Sequence, residues 1–593
     1  MDGKDSLGAA SALELGQNFQ RINFLFQRLF LALSRKEMRN PGVEGPGQPF
    51  FLRAMMGHAA GVWSNPMKAF NTQLQFWQNT TALYAELTQA MLSGASHALP
   101  AEGDDSRFTD EEWRKHPFFY YLKRQYQIMS AYLESLAETS DLGDDAKHAE
   151  QVHFFTKQLV DLFSPSNFLA SNPVAMRKAV DTNGRSLVEG LENLVKDLER
   201  SDGDMLVTLS DPEAFKVGET LAATRGDVVY ETSLFQLIRY APATDKVHSR
   251  PLLIIPPWIN KFYILDLQPK SSLVKWLTGQ GFAVYIVSWR NPREDMRDAG
   301  LDTYVFDGVL TAVAAVNDLS GSADCNVVGY CIGGTALALS LSWLSQQPDD
   351  NPIRSATFFT SLSDFEDPGP LKVFIDESFV SGILFEAQKK GYLDHRIMAR
   401  TFSYLRPNDL IYGPAVKAYL LGEPRPKFDL LFWNEDSTRL PERMAREYLI
   451  HLYRDNDFAS GNFELRGTPV SLDDIKIPHY VVACEKDHIA PWRASFKGLG
   501  RLRGGGRFVL AQSGHIAGIV NHPDRNKYGY WVSDESPADL DDWREGTEAK
   551  EGSWWPDWSA WLAKRSGRKI DAASAWPAEL PKLEPAPGRY VRE

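Results

Sequence analysis

The ten residues Asn326–Thr335, NVVGYCIGGT, decide how the rest of the chain is read. The apolar run that ends at Tyr330 reads as a buried strand, and TALALSLSWL after the glycines reads as a helix, so Cys331 falls in the tight turn between them. Gly329, Cys331 and Gly333 form G-x-C-x-G, the G-x-S-x-G turn with sulfur at the nucleophile position. Glycines on both sides let the backbone turn sharply and let strand and helix approach, and a helix N-terminus is a favourable place for negative charge. Two readings of the pentapeptide stay open: a reactive thiolate on an elbow, or a small buried residue in a Gly-rich turn. Partners elsewhere must separate them.

Strand candidates recur on both sides of the turn. PLLIIPP (251–257), FAVYIVSWR (282–290), CNVVGYC (325–331), SATFFTSL (355–362), HYVVACEKD (479–487) and RFVLAQSGH (507–515) alternate with helical stretches from about residue 200 onward. Runs rich in Val and Ile without alternation imply strands covered on both faces, hence a mainly parallel sheet in an α/β domain. Between Leu362 and His479 the rhythm breaks into helical patches and aromatics over a length no ordinary connection needs. That section, about 363–470, reads as a cap inserted over the active-site edge.

Two of these strands end in the groups a nucleophilic cysteine needs. In the α/β-hydrolase fold the acid and then the histidine follow the nucleophile, each on a loop after a later strand, and here HYVVACEKD ends at Asp487 and RFVLAQSGH at His515. His488 and His522 compete for the base and Asp364 for the acid. His488 adjoins Asp487, His522 has no strand before it, and Asp364 precedes the cap. Cys325 and Cys484 lie inside apolar strands and read as buried structural thiols. His515 would take the thiol proton of Cys331, and the resulting thiolate would attack a thioester or ester carbonyl. The Ile332 amide, first in the helix, is the first candidate donor to the oxyanion, and Asn260 in the loop Pro257-Trp258-Ile259-Asn260 is the second.

Length and composition bound the rest. The chain has 593 residues, 43% apolar and 24% charged, which fits a globular protein of several domains or one large domain with additions. A net charge of −13 disfavours nucleic acid as the main partner. Three cysteines, without disulfide or zinc spacing, fit a reducing cytoplasm, and neither a metal nor a cofactor is expected. MDGKDSLGAASALELG lacks the features of a secretory signal, and INFLFQRLFLALS is interrupted by Gln27 and Arg28, so no transmembrane segment is expected.

The first 200 residues read as a helical domain. Phe19, Ile22, Leu25, Phe26, Leu29, Phe30 and Leu33 recur at helical spacing. A second helix is announced by Asn65 and Pro66 and places Phe70, Leu74, Trp77, Tyr84, Leu87 and Met91 on one side, with NPGVEGPGQP and ALPAEGDDSR as linkers. Each stripe serves either internal packing or an exposed adhesive surface. The expected division is 1–200 helical and 201–593 catalytic, the latter carrying the cap.

With these residues assembled, the chain resembles the polyhydroxyalkanoate synthases of class I, the single-subunit type, from about Arg107 to near the C-terminus. The resemblance rests on GYCIGGT, EKDHIAPW and SGHIAGIVN around Cys331, Asp487 and His515, and on SPSNFLASNP, PPWINKFYILDLQP, SWRNP, FDLLFWNEDST and GSWWPDW. It implies that Cys331 carries the growing acyl chain as a thioester, that His515 activates it, and that Asp487 acts mainly as base for the 3-hydroxyl of an incoming 3-hydroxyacyl-CoA. It also implies a homodimer at the surface of a polymer granule in the cytoplasm, with granule-associated proteins as further candidate partners. Trp433, in FDLLFWNEDST, either keeps water from the acyl-enzyme or packs the cap core. Ala517, beyond His515, and the single-chain architecture resemble enzymes for short hydroxyacyl chains. Two rivals remain: a thioesterase or other hydrolase of the same fold with a cysteine nucleophile, and a granule-coat protein with a degenerate site.

Overall fold

Six strand candidates become six neighbouring parallel strands. The computed structural model describes residues 2–34, 66–93, 105–138, 146–534, 540–576 and 580–593. Among them the chain divides into two compact units, 1–211 with 398–426, and 212–397 with 427–593.

The second unit is built on an eleven-stranded sheet. Its strands are β1 (Gly226–Glu231), β2 (Phe235–Tyr240), β3 (Leu252–Ile255), β4 (Val284–Trp289), β5 (Cys325–Tyr330) and β6 (Ile353–Phe359), then β7 (His479–Cys484), β8 (Gly506–Ala511), β9 (Gly529–Ser533), β10 (Lys550–Glu551) and β11 (Glu584–Pro585). They lie in the order β10-β9-β8-β7-β6-β5-β3-β4-β2-β1-β11. The block from β8 to β4 is parallel throughout, and β2, β1 and β9 add to it antiparallel. All residues of β3, β4, β5 and β7 are buried, as expected of strands covered on both faces. β3 ends where Pro256 and Pro257 remove two ladder donors.

β2 was not among the candidates, because Gln236 and Arg239 interrupt FQLIRY. Both are buried with partners supplied from far along the chain. The Gln236 side-chain oxygen Oε1 accepts the Arg589 and Tyr590 amides at 3.1 and 3.2 Å, and the Arg239 guanidinium lies 4.3 Å from the Trp576 ring centre.

The first unit is helical: α1 (Asp2–Ser34), α2 (Pro66–Ser93), α3 (Pro117–Glu138), α4 (Ala146–Leu162) and α5 (Arg185–Arg200) are its long elements. The α1 stripe splits. Leu25 is buried with Val188 and Val195 of α5, with Ile22 and Leu29 against them, and Arg28 holds Glu199 through two bonds of 2.8 and 2.5 Å. Phe26, Phe30 and Leu33 face outward instead, Phe30 being 74% exposed. On α2 the expected face is largely outside: Phe70, Leu74, Trp77 and Tyr84 are exposed. The buried side carries Ala69, Thr80 and Leu83, with the Phe76 ring 4.9 Å from that of Tyr132 on α3. The side chains of Phe19 and Met91, the cap Asn65, the linker 40–49 and the first seven residues of the linker 98–107 lie outside the described residues.

The cap expected at 363–470 is not one block. Residues 398–426 belong with the helical unit, whose boundary moves from 200 to 211. The reason is local packing on α5. The Asn193 amide donates to the carbonyls of Ala418 and Glu423 at 3.0 and 3.2 Å, and Asp197 accepts from the Tyr419 hydroxyl at 2.6 Å and pairs with Arg425. Gly190 leaves room for the Tyr419 carbonyl where any side chain would collide with it.

Candidate active site

The turn after β5 is an elbow. Cys331 caps α6 (Ile332–Leu344) with φ 54° and ψ −126°, a strained conformation for a non-glycine residue. It is held there from several sides. The Cys331 amide donates to the Phe359 carbonyl at 2.9 Å, and its own carbonyl accepts the Gly334 and Thr335 amides at 2.9 and 3.3 Å. A side chain at Gly329 would strike the Gly334 backbone, one at Gly334 would strike Ser361, and one at Gly333 would strike the Ile255 carbonyl at the end of β3. The glycines are there because three backbone segments meet. Ile332 is the first helical residue and is buried, and its amide is one of those an α-helix leaves without an internal partner.

β7 and β8 deliver the two partners. Asp487 Oδ1 accepts the Ile489 and Ala490 amides at 2.8 and 2.9 Å, and Oδ2 lies 2.7 Å from His515 Nδ1. The Asp487 side chain has 0% exposure and that of His515 9%. On its other side His515 feels the Cys331 side chain. Burial alone would push this imidazole below its ordinary value, but the Asp487 carboxylate, and after it Cys331, push it up to about 10. The structure therefore brings Cys331, His515 and Asp487 together at the strand ends, with His515 bonded to Asp487 and favouring its protonated form beside Cys331.

The loop after β3 faces the elbow and is laced to FDLLFWNEDST. The Trp433 indole N–H donates to the Lys261 carbonyl at 2.7 Å, Lys261 Nζ pairs with Asp436 at 2.7 Å, and the Thr438 hydroxyl donates to the Trp258 carbonyl at 2.5 Å. Trp433 is buried in the core against which Cys331 packs. The Asn260 side-chain carbonyl accepts the Lys261 amide at 2.8 Å, and its backbone bridges to Ser437. Two motifs far apart in sequence thus form one wall.

The competitors are occupied elsewhere. Asp364 Oδ1 accepts from Asn456 Nδ2 at 2.8 Å and from the Glu366 amide at 3.0 Å, and His522 accepts the Asp524 amide at 3.2 Å. Cys325 and Cys484 are fully buried. Among the described residues, His451, Asp455 and Asp457 bring possible metal-ligating atoms within 4.8 Å of one another. Their needs are already met: His451 Nδ1 lies 2.7 Å from Asp457, and Arg454 donates two bonds of 2.8 Å to Asp455.

Several groups around the series escaped the sequence reading. Tyr330, the residue before Cys331, lies nearly parallel to the His515 ring at 5.8 Å, and its hydroxyl approaches the His515 carbonyl at 3.4 Å. Trp554 and Trp555 of GSWWPDW donate their indole N–H groups to the carbonyls of Gly518 and Ile519 at 2.8 and 2.9 Å, fixing the loop that carries His515. From the cap, Phe365 packs on Tyr448 and Tyr453 with ring centres 6.4 and 4.9 Å away. The tyrosines lie on a wide helical turn, Tyr448–Arg454, that no hydrophobic period marks. The repetition of Trp in GSWWPDW was the one available signal.

Residues 104–277 match the family described as Poly-beta-hydroxybutyrate polymerase (PhaC) N-terminus, and residues 250–522 match the alpha/beta hydrolase fold. The chain is 41% identical over 542 residues to the poly(3-hydroxyalkanoate) polymerase subunit PhaC of Cupriavidus necator, covering 90% of each. It is 38% identical over 553 residues to the poly(3-hydroxyalkanoate) polymerase of Methylorubrum extorquens, covering 93% of this chain and 91% of that one. Among solved structures, an esterase from Exiguobacterium antarcticum is 12% identical with a TM-score of 0.28, over 50% of this chain and 92% of that one.

Proposed function

The chain belongs to the family of poly(3-hydroxyalkanoate) polymerases, and on that premise we propose that it joins (R)-3-hydroxyacyl-CoA thioesters into polyhydroxyalkanoate, releasing CoA, through an acyl thioester on Cys331. Short-chain units such as 3-hydroxybutyryl-CoA are the proposed substrates, with Ala517 beside the base in support. The observation that carries the reading is the series Cys331, His515, Asp487 at the ends of parallel strands, with its carboxylate wholly buried.

Loading begins when the Cys331 thiol proton passes to His515 and the sulfur attacks the thioester carbonyl. The oxyanion falls to the Ile332 amide, with the loop after β3 closing the other side. The carbon–sulfur bond to CoA then breaks, and the CoA sulfur takes the proton from His515. In elongation the 3-hydroxyl of another hydroxyacyl-CoA loses its proton to His515 and attacks the Cys331 thioester. An ester bond forms, the Cys331–acyl bond breaks and the Cys331 sulfur takes the proton back from His515; the lengthened chain, now a CoA thioester, returns to Cys331 by the loading step, which releases CoA. Exchange between two thioesters is nearly balanced in energy, which is a reason for sulfur at this position.

Asp487 reaches the hydroxyl through His515, since both its oxygens are engaged and neither is exposed. An alcohol proton is harder to remove than a thiol proton, so elongation makes the larger demand on that carboxylate. Trp433 holds the loop after β3 and helps exclude water from the acyl-enzyme. The enzyme is proposed to work in the cytoplasm as a homodimer on the granule surface, and the exposed Phe26, Phe30 and Leu33 supply an apolar face for contact with polymer. Among the described residues no helix is long and apolar enough to cross a membrane.

Incubating the purified protein with 3-hydroxybutyryl-CoA and weighing polymer against free hydroxyacid tests the reading. Polymer in excess is expected, with an acyl adduct on Cys331 by intact mass. Free acid as the main product would leave the hydrolase reading. Cys331→Ala should abolish both products, and Cys331→Ser should retain at most about a thousandth of the rate with an unchanged melting temperature.

A further inference from the structure

A count of hydroxyl protons on the cap side of the elbow leaves one donor over. Tyr448 donates its O–H to the Tyr453 oxygen at 3.4 Å, so the proton of Tyr453 must point elsewhere. Among the described residues it has no acceptor. Its ring is held by the Phe365 ring at 4.9 Å and 63° and by the Tyr448 ring at 5.0 Å and 88°.

The backbone carries this pair to the nucleophile. The Cys331 amide is bonded to the Phe359 carbonyl at the end of β6, and the Thr335 hydroxyl in the first turn of α6 donates to the Leu362 carbonyl at 2.7 Å. Phe365 follows three residues later. Its amide donates to Asn456 Oδ1 at 2.8 Å, and Asn456 donates to Asp364 at 2.8 Å, so the strand end clamps the turn Tyr448–Arg454 just past its last residue. The electrostatics agree with that placement. Burial first raises the Tyr453 phenol, the hydrogen bond from Tyr448 lowers it, and the charges of both Cys331 and Asp487 raise it again. Tyr448 is raised by burial, by Tyr453 and by Cys331. Tyr453 senses both ends of the series, between which His515 lies, and it is the ring whose hydroxyl proton is left over.

The geometry points to Tyr453 as a substrate-contacting residue of the elongation step, its O–H donating to the 3-hydroxyl oxygen of the incoming hydroxyacyl unit. This inference rests on the polymerase reading above. A hydroxyl that accepts from Tyr453 keeps its own proton for His515 and its remaining lone pair for the Cys331 thioester. Loading makes no such demand, because the group that loses a proton there is the thiol. Tyr453 therefore separates the two half-reactions, and Tyr448 fixes the direction in which its proton points.

The test uses the full-length protein and two substrates, 3-hydroxybutyryl-CoA and butyryl-CoA, which has the thioester but no hydroxyl. In Tyr453→Phe the burst of CoA release should stay within about twofold of wild type with either substrate, while steady elongation falls about tenfold or more and acylated Cys331 accumulates. Equal loss of loading and elongation, or loss of neither, would overturn the inference. Slower loading by butyryl-CoA would do so too, since it would assign the hydroxyl to the carbonyl oxygen. Tyr448→Phe keeps the Tyr453 hydroxyl and should cost elongation no more than about threefold. A full block of elongation there, with loading intact, would make Tyr448 the donor and overturn the assignment even if Tyr453→Phe did not fold. A wild type that neither loads nor elongates would sink the polymerase reading itself, an outcome distinct from all of these.

Discussion

Asp487 Oδ2 lies 2.7 Å from His515 Nδ1 while Asp487 Oδ1 holds two backbone amides, so the carboxylate is fixed at both oxygens with one of them turned to the imidazole. Asp487→Asn keeps the shape and removes the charge. Loading should fall about tenfold and elongation about 1000-fold, with acylated Cys331 persisting in single-turnover mixtures. Equal losses in the two steps would make Asp487 an orienter of His515 and nothing more.

The same pair gives stability a pH dependence. His515 is raised from 6.5 to about 10 and so binds its proton more tightly in the folded chain. Its contribution is complete below pH 6.5 and drains away as pH rises to about 10. The melting temperature of wild type minus that of His515→Gln should shrink steadily across that window. A constant difference would mean that the imidazole is not protonated in the folded state.

Gly333 is fixed by backbone, not by chemistry. A methyl group there meets the Ile255 carbonyl and stands 2.9 Å from that of Pro256, neither of which can rotate away. Gly333→Ala should cost about 2–3 kcal/mol in urea unfolding and slow loading by disturbing the loop after β3. Unchanged stability would mean that the elbow is looser than its close contacts indicate.

On α1, inner and outer residues should part company. Replacing Phe26, Phe30 and Leu33 together by Ser should reduce the granule-bound fraction severalfold and leave both the melting temperature and the CoA burst unchanged. Leu25→Ala, which empties the contact with Val188 and Val195, should cost about 2–4 kcal/mol instead. A triple variant that stays on granules would assign the outer face to some other contact.

The parallel sheet and the site series were legible because each rests on a local pattern. Buried strands read as apolar runs, and three of them, β5, β7 and β8, lead directly into a chemically distinctive residue: Cys331, Asp487 or His515. What stayed hidden depends on distant partners. β2 holds Gln236 and Arg239, which become buriable only when residues near 576 and 589 arrive. For the α2 stripe the sequence left packing and an exposed surface both open, and the exposed one holds for Phe70, Leu74, Trp77 and Tyr84, because the side toward α3 is carried by Phe76 on Tyr132 instead. The turn Tyr448–Arg454 follows a wider helical repeat, so its tyrosines meet without any 3.6-residue signature.

The indole bonds from Trp554 and Trp555 to the carbonyls of Gly518 and Ile519 cross 36 positions of sequence. In a scan of all single substitutions, inactivating changes would therefore cluster not only around the three reacting residues but again at these tryptophans, where no atom takes part in the reaction. Screening for altered polymers at that second cluster would yield mostly enzymes whose base has lost its address.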